Sequence, residues 1–224
     1  MRVVVRIGGS VVGSPLNAEL IADYVDLLCA LKTEGHQVVA VTGGGSLARD
    51  FIKVAKELGM EEDKKDWAAI HVSRLFAQLF VLRLADAGCG RVPVSLDETE
   101  ACLVENKIVV LGGLRPGMTT DTVAALVGER VKADLLVKGS NVDGIYDKDP
   151  NKFGDAKKLE KLSFDQLGGL FEANTHRAGI NQVVDPEAVK VLQRCRLRTV
   201  VVDGYVAANV LAAVEGERVG TVIE

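Results

Sequence analysis

Short apolar runs alternate along this chain with longer stretches whose apolar residues recur at helical spacing. Arg2–Ile7 (RVVVRI), Gln37–Thr42 (QVVAVT), residues 107–111 (KIVVL) and residues 133–137 read as buried strands of the kind found inside a parallel sheet. Shorter runs at 91–94, 198–202 and 219–223 predict three more strands. Between them, Asn17 caps a helix with Leu20, Ile21, Tyr24, Val25, Leu28 and Leu31 on one face, and Gly35 ends it. Ser46 is the expected N-cap of a helix that runs to Leu58 and closes at Gly59. A long helix from 63 to 88 is apolar on most faces, through Trp67, Ile70, Val72, Leu75, Phe76, Leu79, Phe80, Leu82 and Leu84. Ser95 with Glu98, and Ser163 with Gln166, form capping boxes. Further helices are expected from 119–121 to about 132, from Asp185-Pro186 onward, and over 205–214. Residues 151–158 form a polar, mobile loop, and 174–184 are irregular.

Strand, turn and helix alternate throughout. That pattern predicts an α/β domain: a mostly parallel central sheet with helices on both faces, in a single unit spanning 1–224.

Composition narrows the function classes. A net charge of −4 argues against a nucleic-acid surface, which needs a basic face. Cys29, Cys89, Cys102 and Cys195 are scattered without paired spacing, which predicts reduced thiols in a cytoplasmic protein and neither a zinc site nor a disulfide frame. No signal peptide is expected, since Met1 leads straight into a strand. The apolar stretch 67–87 is interrupted by His71, Arg74, Gln78 and Arg83, so it reads as a buried or interface helix of an oligomer, not a membrane span.

Candidate chemistry sits where strands end. Gly8-Gly9-Ser10, Gly43-Gly44-Gly45-Ser46 and Gly112-Gly113 each follow a strand, and residues 133–137 run into Lys138-Gly139-Ser140-Asn141. In a parallel sheet these turns share one edge, where α/β folds bind ligands. Four turns suited to phosphate exceed the needs of one mononucleotide; they fit two phosphorylated ligands end to end, as phosphoryl transfer requires. Lys138, Arg6, glycine N–H groups and Mg²⁺ would spread the transferring charge. Arg49, expected in a helix's first turn where the dipole disfavours a cation, reads either as a solvated Arg or as an anion ligand. Thr119, Thr120 and Asp121 read as N-caps, which does not exclude ligand contact. Asp66 reads equally as a first-turn acid. His36, His71 and His176 are isolated and read as ordinary surface or packed residues.

Ile7-Gly8-Gly9-Ser10, Gly43-Gly44-Gly45 with Arg49, Gly112-Gly113 with Pro116-Gly117 and Thr119-Thr120-Asp121, Asn141 to Tyr146 with Asp149-Pro150, and Asp185 together resemble the amino acid kinase family. Within it the chain is most similar to the compact archaeal uridylate kinases, over essentially its whole length. The resemblance implies transfer of the ATP γ-phosphoryl group to UMP in pyrimidine nucleotide biosynthesis, with Mg²⁺, in a homo-oligomer, by resemblance a hexamer. It implies an acceptor side over about 1–130 and an ATP side over about 131–224. Gly9, Ser10, Gly45, Ser140, Asn141, Tyr146 and Asp149 would line the ATP site, with Arg49 between the phosphate chains. Gly44, Asp66, Leu114, Arg115, Pro116, Gly117, Met118, Thr119 and Thr120 would hold UMP. Lys138, Asp185 and Arg6 would be catalytic, Asp185 orienting the cations, with no metal held by the protein itself. Arg6 stands where many relatives carry Lys, and the two are not interchangeable. An amino-acid or carboxylate kinase of the same fold, and a non-catalytic nucleotide-binding protein, are the competing readings.

Overall fold

The computed structural model describes residues 1–150, 152–174 and 183–224, with the side chains of 170–174 also set aside. In chain order the first half comprises β1 (Arg2–Ile7), α1 (Gly9–Gly13), α2 (Ala18–Thr33), β2 (Gln37–Thr42), α3 (Gly45–Glu57), α4 (Glu62–Leu84), α5 (Leu96–Val104), β3 (Val109–Leu111) and α6 (Thr120–Arg130). The second half comprises β4 (Leu135–Ser140), β5 (Ile145–Tyr146), β6 (Lys158–Leu159), β7 (Lys161–Leu162), α7 (Phe164–Asn174), α8 (Pro186–Cys195), β8 (Thr199–Asp203), α9 (Ala208–Glu215) and β9 (Thr221–Ile223). Seven strands form one sheet in the order β3-β2-β1-β4-β8-β9-β7. The run from β3 to β8 is parallel, and β9 enters antiparallel to β8.

Helices cover both faces, so the central strands are apolar on both sides. Val3, Val5 and Ile7 of β1 pack into the core beneath α2 and α9, with Val137 of β4 and Phe80 of α4. Val4 and Leu136 point the other way, into the core formed with Val123 and Val127 of α6 and Leu192 of α8. The two-residue period of a strand then places Arg6 and Lys138 on that second face, level with α6.

Several expected boundaries move. β4 does not stop before Lys138: the strand continues through Lys138, Gly139 and Ser140, all buried. The helix expected to begin at Ser46 has Gly44 as its N-cap, because α1 packs against the helix start; Ser46 N–H is taken by Ser14 Oγ at 2.7 Å and Ser46 Oγ donates to Gly13 O at 3.0 Å. Arg49 therefore opens the second turn of α3, not the first. No strand forms at 91–94, where Gly90 takes φ +77° and Pro93 has no N–H to give a ladder; a single bridge pairs Gly88 with Ile108. Of the polar loop expected at 151–158, residues 152–157 lie in an excursion closed by pairing of β5 with β6, and Lys158 is part of β6. Most of the irregular segment expected at 174–184, with His176, lies outside the described residues.

The cysteine expectation is overturned for one pair. Cys89 and Cys102 form a disulfide with a Cα–Cα distance of 5.7 Å, while Cys29 and Cys195 are free thiols. The bridge at Gly88 fixes Cys89 beside the start of β3, and α5 lays Cys102 over it; nothing in their sequence spacing advertises this. α4 is long and apolar enough to span a membrane by composition, yet Ile70, Val72, Phe76, Phe80 and Leu84 are buried within the protein.

Candidate active site

Parallel register brings the two cations together. Arg6 pairs with Lys138 across β1 and β4, so both side chains leave the sheet side by side on one face. Like charges in direct cross-strand positions repel, and the fold answers with a carboxylate. Asp121, in the first turn of α6, reaches between them: its Oδ1 lies 2.6 Å from Arg6 Nε, and its Oδ2 pairs with Lys138 Nζ. The helix start also favours an acid at that position. Arg6 Nη2 donates to Thr120 Oγ1 at 3.1 Å.

Burial sharpens these charges. It pushes the Lys138 ammonium down to about 8, with Asp121 raising it and Arg6 lowering it further. Burial alone would raise the Asp121 carboxyl, but Arg6 and Lys138 outweigh it and hold it below the usual carboxylate range. Arg6 Nε and Asp121 Oδ1 meet as ions without hydrogen-bond geometry, leaving both buried atoms with bonding capacity unused. Asp121 alone pairs directly with both cations, while Asp185 acts on Lys138 from farther off.

Arg6, Lys138 and Asp121 form one end of a cavity completed by Gly8, Gly9, Ser10, Ser140, Asn141, Val142 and Val183. Of the residues expected at an ATP site, Gly9, Ser10, Ser140 and Asn141 meet there. Gly45 lies behind them: a Cβ on Gly9 would stand 2.3 Å from Gly45 N, so the two glycine turns approach closer than any side chain allows. Tyr146 lies farther along the chain in β5, its hydroxyl donating to Asp143 Oδ1 at 2.8 Å. Asp149 is buried beyond it, with Lys152 Nζ at 3.7 Å. Arg49 is exposed on α3 and, among the described residues, has no ion pair.

A second cavity lies on the β2–β3 side, lined by Gly44, Ala48, Asp66, Ala69, Ile70, Ser73, Gly113, Met118, Thr119 and Thr120. Gly44, Asp66, Met118, Thr119 and Thr120 were expected here. Asp66 Oδ2 accepts from Gly117 N–H at 2.7 Å, which draws the loop between β3 and α6 toward α4. Leu114, Arg115, Pro116 and Gly117 belong to that loop without lining the cavity. Thr120 is the shared wall, lining this cavity while its hydroxyl holds Arg6 of the other.

Asp185, expected to orient the cations, makes no ion pair with either, though its charge favours the protonated form of Lys138. Its carboxylate caps α8, accepting from Glu187 N–H at 2.9 Å and Ala188 N–H at 3.0 Å. It also accepts from Thr119 Oγ1 at 2.5 Å and Thr122 Oγ1 at 2.9 Å, tying the starts of α6 and α8 together. Direct contact with both cations belongs instead to Asp121, whose sequence position reads as an N-cap. The signal for it was indirect: two cations in register need an acid, and Asp121 opens the helix on their face. Among the described residues no cluster of His, Cys, Asp or Glu has the makings of a metal site.

The profile of the amino acid kinase family matches residues 1–203. The uridylate kinase of Methanocaldococcus jannaschii is 43% identical over 226 residues, covering 100% of both chains. The crystal structure of uridylate kinase from Archaeoglobus fulgidus superposes with a TM-score of 0.90 at 38% identity over 100% of each chain. The UMP kinase structure from Bacillus anthracis reaches a TM-score of 0.83 at 19% identity, covering 100% of this chain and 95% of its own, a likeness of fold alone. With its sheet order, its two adjoining cavities and these full-length similarities, the chain belongs to the amino acid kinase family.

Proposed function

We propose that the chain is a uridylate kinase, transferring the γ-phosphoryl group of ATP to UMP to give UDP, within pyrimidine nucleotide synthesis. The observation that carries this is the pair of cavities meeting at Arg6 and Thr120, one cationic and glycine-walled, the other lined by the acid Asp66. ATP takes the first, with its phosphates along Gly9, Ser10, Ser140 and Asn141. UMP takes the second, with Asp66 on the ribose side and Thr119-Thr120 beside the base. Arg49, exposed and without an ion pair among the described residues, reaches the phosphates from α3.

Transfer needs no covalent enzyme intermediate. Lys138 and Arg6 neutralise charge on the oxygens of the group in flight, and Asp121 holds both cations in place before substrate arrives. Mg²⁺ bound with the nucleotide would supply further neutralisation of phosphate charge. Both Asp121 oxygens already face the buried cations, and a metal held chiefly by substrate phosphates suits Mg²⁺.

The exposed apolar side chains Leu47, Phe51 and Val54 of α3, Leu58 just beyond it, and Trp67, Leu75, Leu79 and Leu82 of α4 support a homo-oligomer built through this face, a hexamer in our reading. Both substrates are charged nucleotides that do not cross membranes unaided, which supports a cytoplasmic enzyme. The test is a coupled assay of ATP consumption against UMP, CMP, AMP and acetylglutamate. UMP should be strongly preferred; consumption no faster with UMP than without it sinks the proposal.

A further inference from the structure

α4 holds the loop 112–119 at three places, and only two of them line the acceptor cavity. Asp66 takes Gly117 N–H, and Ser73 Oγ takes Gly113 N–H at 2.8 Å. The third is Arg74, which stands outside the cavity. Its Nε donates to Gly113 O at 2.9 Å and its Nη2 to Leu114 O at 3.0 Å, so one planar fork spans two consecutive carbonyls. The loop lies close enough to α4 for this because residue 112 is glycine: a Cβ there would stand 2.6 Å from Arg74 N. The guanidinium also sits 5.7 Å from the centre of the Trp67 ring, which limits its other orientations.

We propose that Arg74 is a positioning residue for the acceptor: it fixes loop 112–119 in the geometry that closes the second cavity, and so sets acceptor affinity without touching the nucleotide. This rests on the reading of that cavity as the UMP site. Asp66 is in the cavity wall, so a ligand reaching for its carboxylate competes with Gly117 N–H. The Arg74 bonds lie behind the loop and persist when the cavity fills. If the loop without them adopts the closed geometry a tenth of the time, apparent acceptor affinity falls about tenfold. Lysine cannot replace the fork, because one ammonium on a flexible stem does not hold two carbonyls in fixed geometry.

The experiment compares Arg74→Met, which keeps an apolar stem, and Arg74→Lys with the wild-type chain. UMP binding is measured by calorimetry without ATP, KM for UMP and for ATP in the coupled assay, and melting by circular dichroism. In Arg74→Met the UMP dissociation constant and KM should rise about tenfold or more. The ATP KM, and kcat at saturating UMP, should stay within about twofold. Arg74→Lys should melt close to wild type yet keep a raised UMP KM; it carries the test if the Met variant does not fold. Wild-type UMP affinity in Arg74→Lys, or an ATP KM rising in step with that for UMP, overturns the proposal. Failure of the wild-type chain itself to bind UMP overturns the site assignment, and this role with it.

Discussion

Replacing Asp121 by Asn keeps the side chain's shape and removes the one negative charge between Arg6 and Lys138. At the 2.6 Å separation from Arg6, an effective dielectric of about 20 gives a lost attraction of roughly 6 kcal/mol. The carboxylate no longer has to be desolvated, which offsets several kcal/mol. Breaking one side of a buried pair costs about 3–5 kcal/mol net, because the remaining charge is stranded. Here two like charges would be stranded, and Lys138 has an escape. Its ammonium already titrates near 8, and without Asp121 its pKa falls further, so at neutral pH it sheds its proton. That relieves the repulsion and caps the stability loss, but it removes a cation from the transfer site. Turnover should drop about 10²–10³-fold at pH 7, the scale seen when one preorganised charge-stabilising group is lost. The deficit should shrink as pH falls toward 6, where Lys138 regains its proton, while thermal stability declines over the same interval. Steady-state turnover and melting temperature across pH 6–9 give both curves. Asp185→Asn is the control: Asn caps α8 about as well, so melting should hold within a few degrees and turnover should fall far less. Turnover within threefold of wild type in Asp121→Asn, with an unchanged pH profile, would refute the reasoning.

In the wild-type enzyme, kcat/KM for ATP should fall above about pH 8 if protonated Lys138 neutralises the transferring charge as proposed, since an unperturbed lysine would hold its charge to about pH 10; a profile flat to pH 9.5 removes Lys138 from the mechanism. Arg49→Ala should weaken nucleotide binding by about tenfold or more, the loss of one charge-assisted contact, with melting unchanged because the side chain is exposed; equal affinities by calorimetry reject the role. Reducing the Cys89–Cys102 bond, or replacing both residues by Ser, should cost about 3 kcal/mol, the chain-entropy value for a loop of this length, and lower the melting temperature by roughly 6–12 °C; an unchanged melting temperature under reductant counts against a stabilising bond.

The sheet was legible because each central strand is an unbroken apolar run, and only strands buried on both faces read that way. The glycine turns were legible for the same reason in reverse, since each interrupts such a run at its carboxyl end. What escaped depended on distance in sequence. Asp121 looks like a cap until the register sets Arg6 opposite Lys138. Arg74 looks like a break in an apolar helix until loop 112–119 lies against it. The disulfide needs Gly88 to meet Ile108, a single bridge without a pattern. The two-residue strands β5, β6 and β7 are too short for any periodicity to register.

The charge cluster draws on three segments far apart in the chain: β1 at its start, α6 past its middle and β4 beyond that. β1 pairs with β4 only after some 130 residues of intervening chain have been gathered in, as the bond from Arg2 N–H to Asp134, 132 positions away, makes plain. Contacts of such long range are the slow ones in folding, because loop closure must precede any reward from pairing. The cluster therefore exists only once that long-range pairing is made. A chain with β1, α2 and β2 in place but β4 unpaired would hold Arg6 without Asp121 or Lys138 beside it, so an activity that needs the cluster also reports that the centre of the sheet is paired.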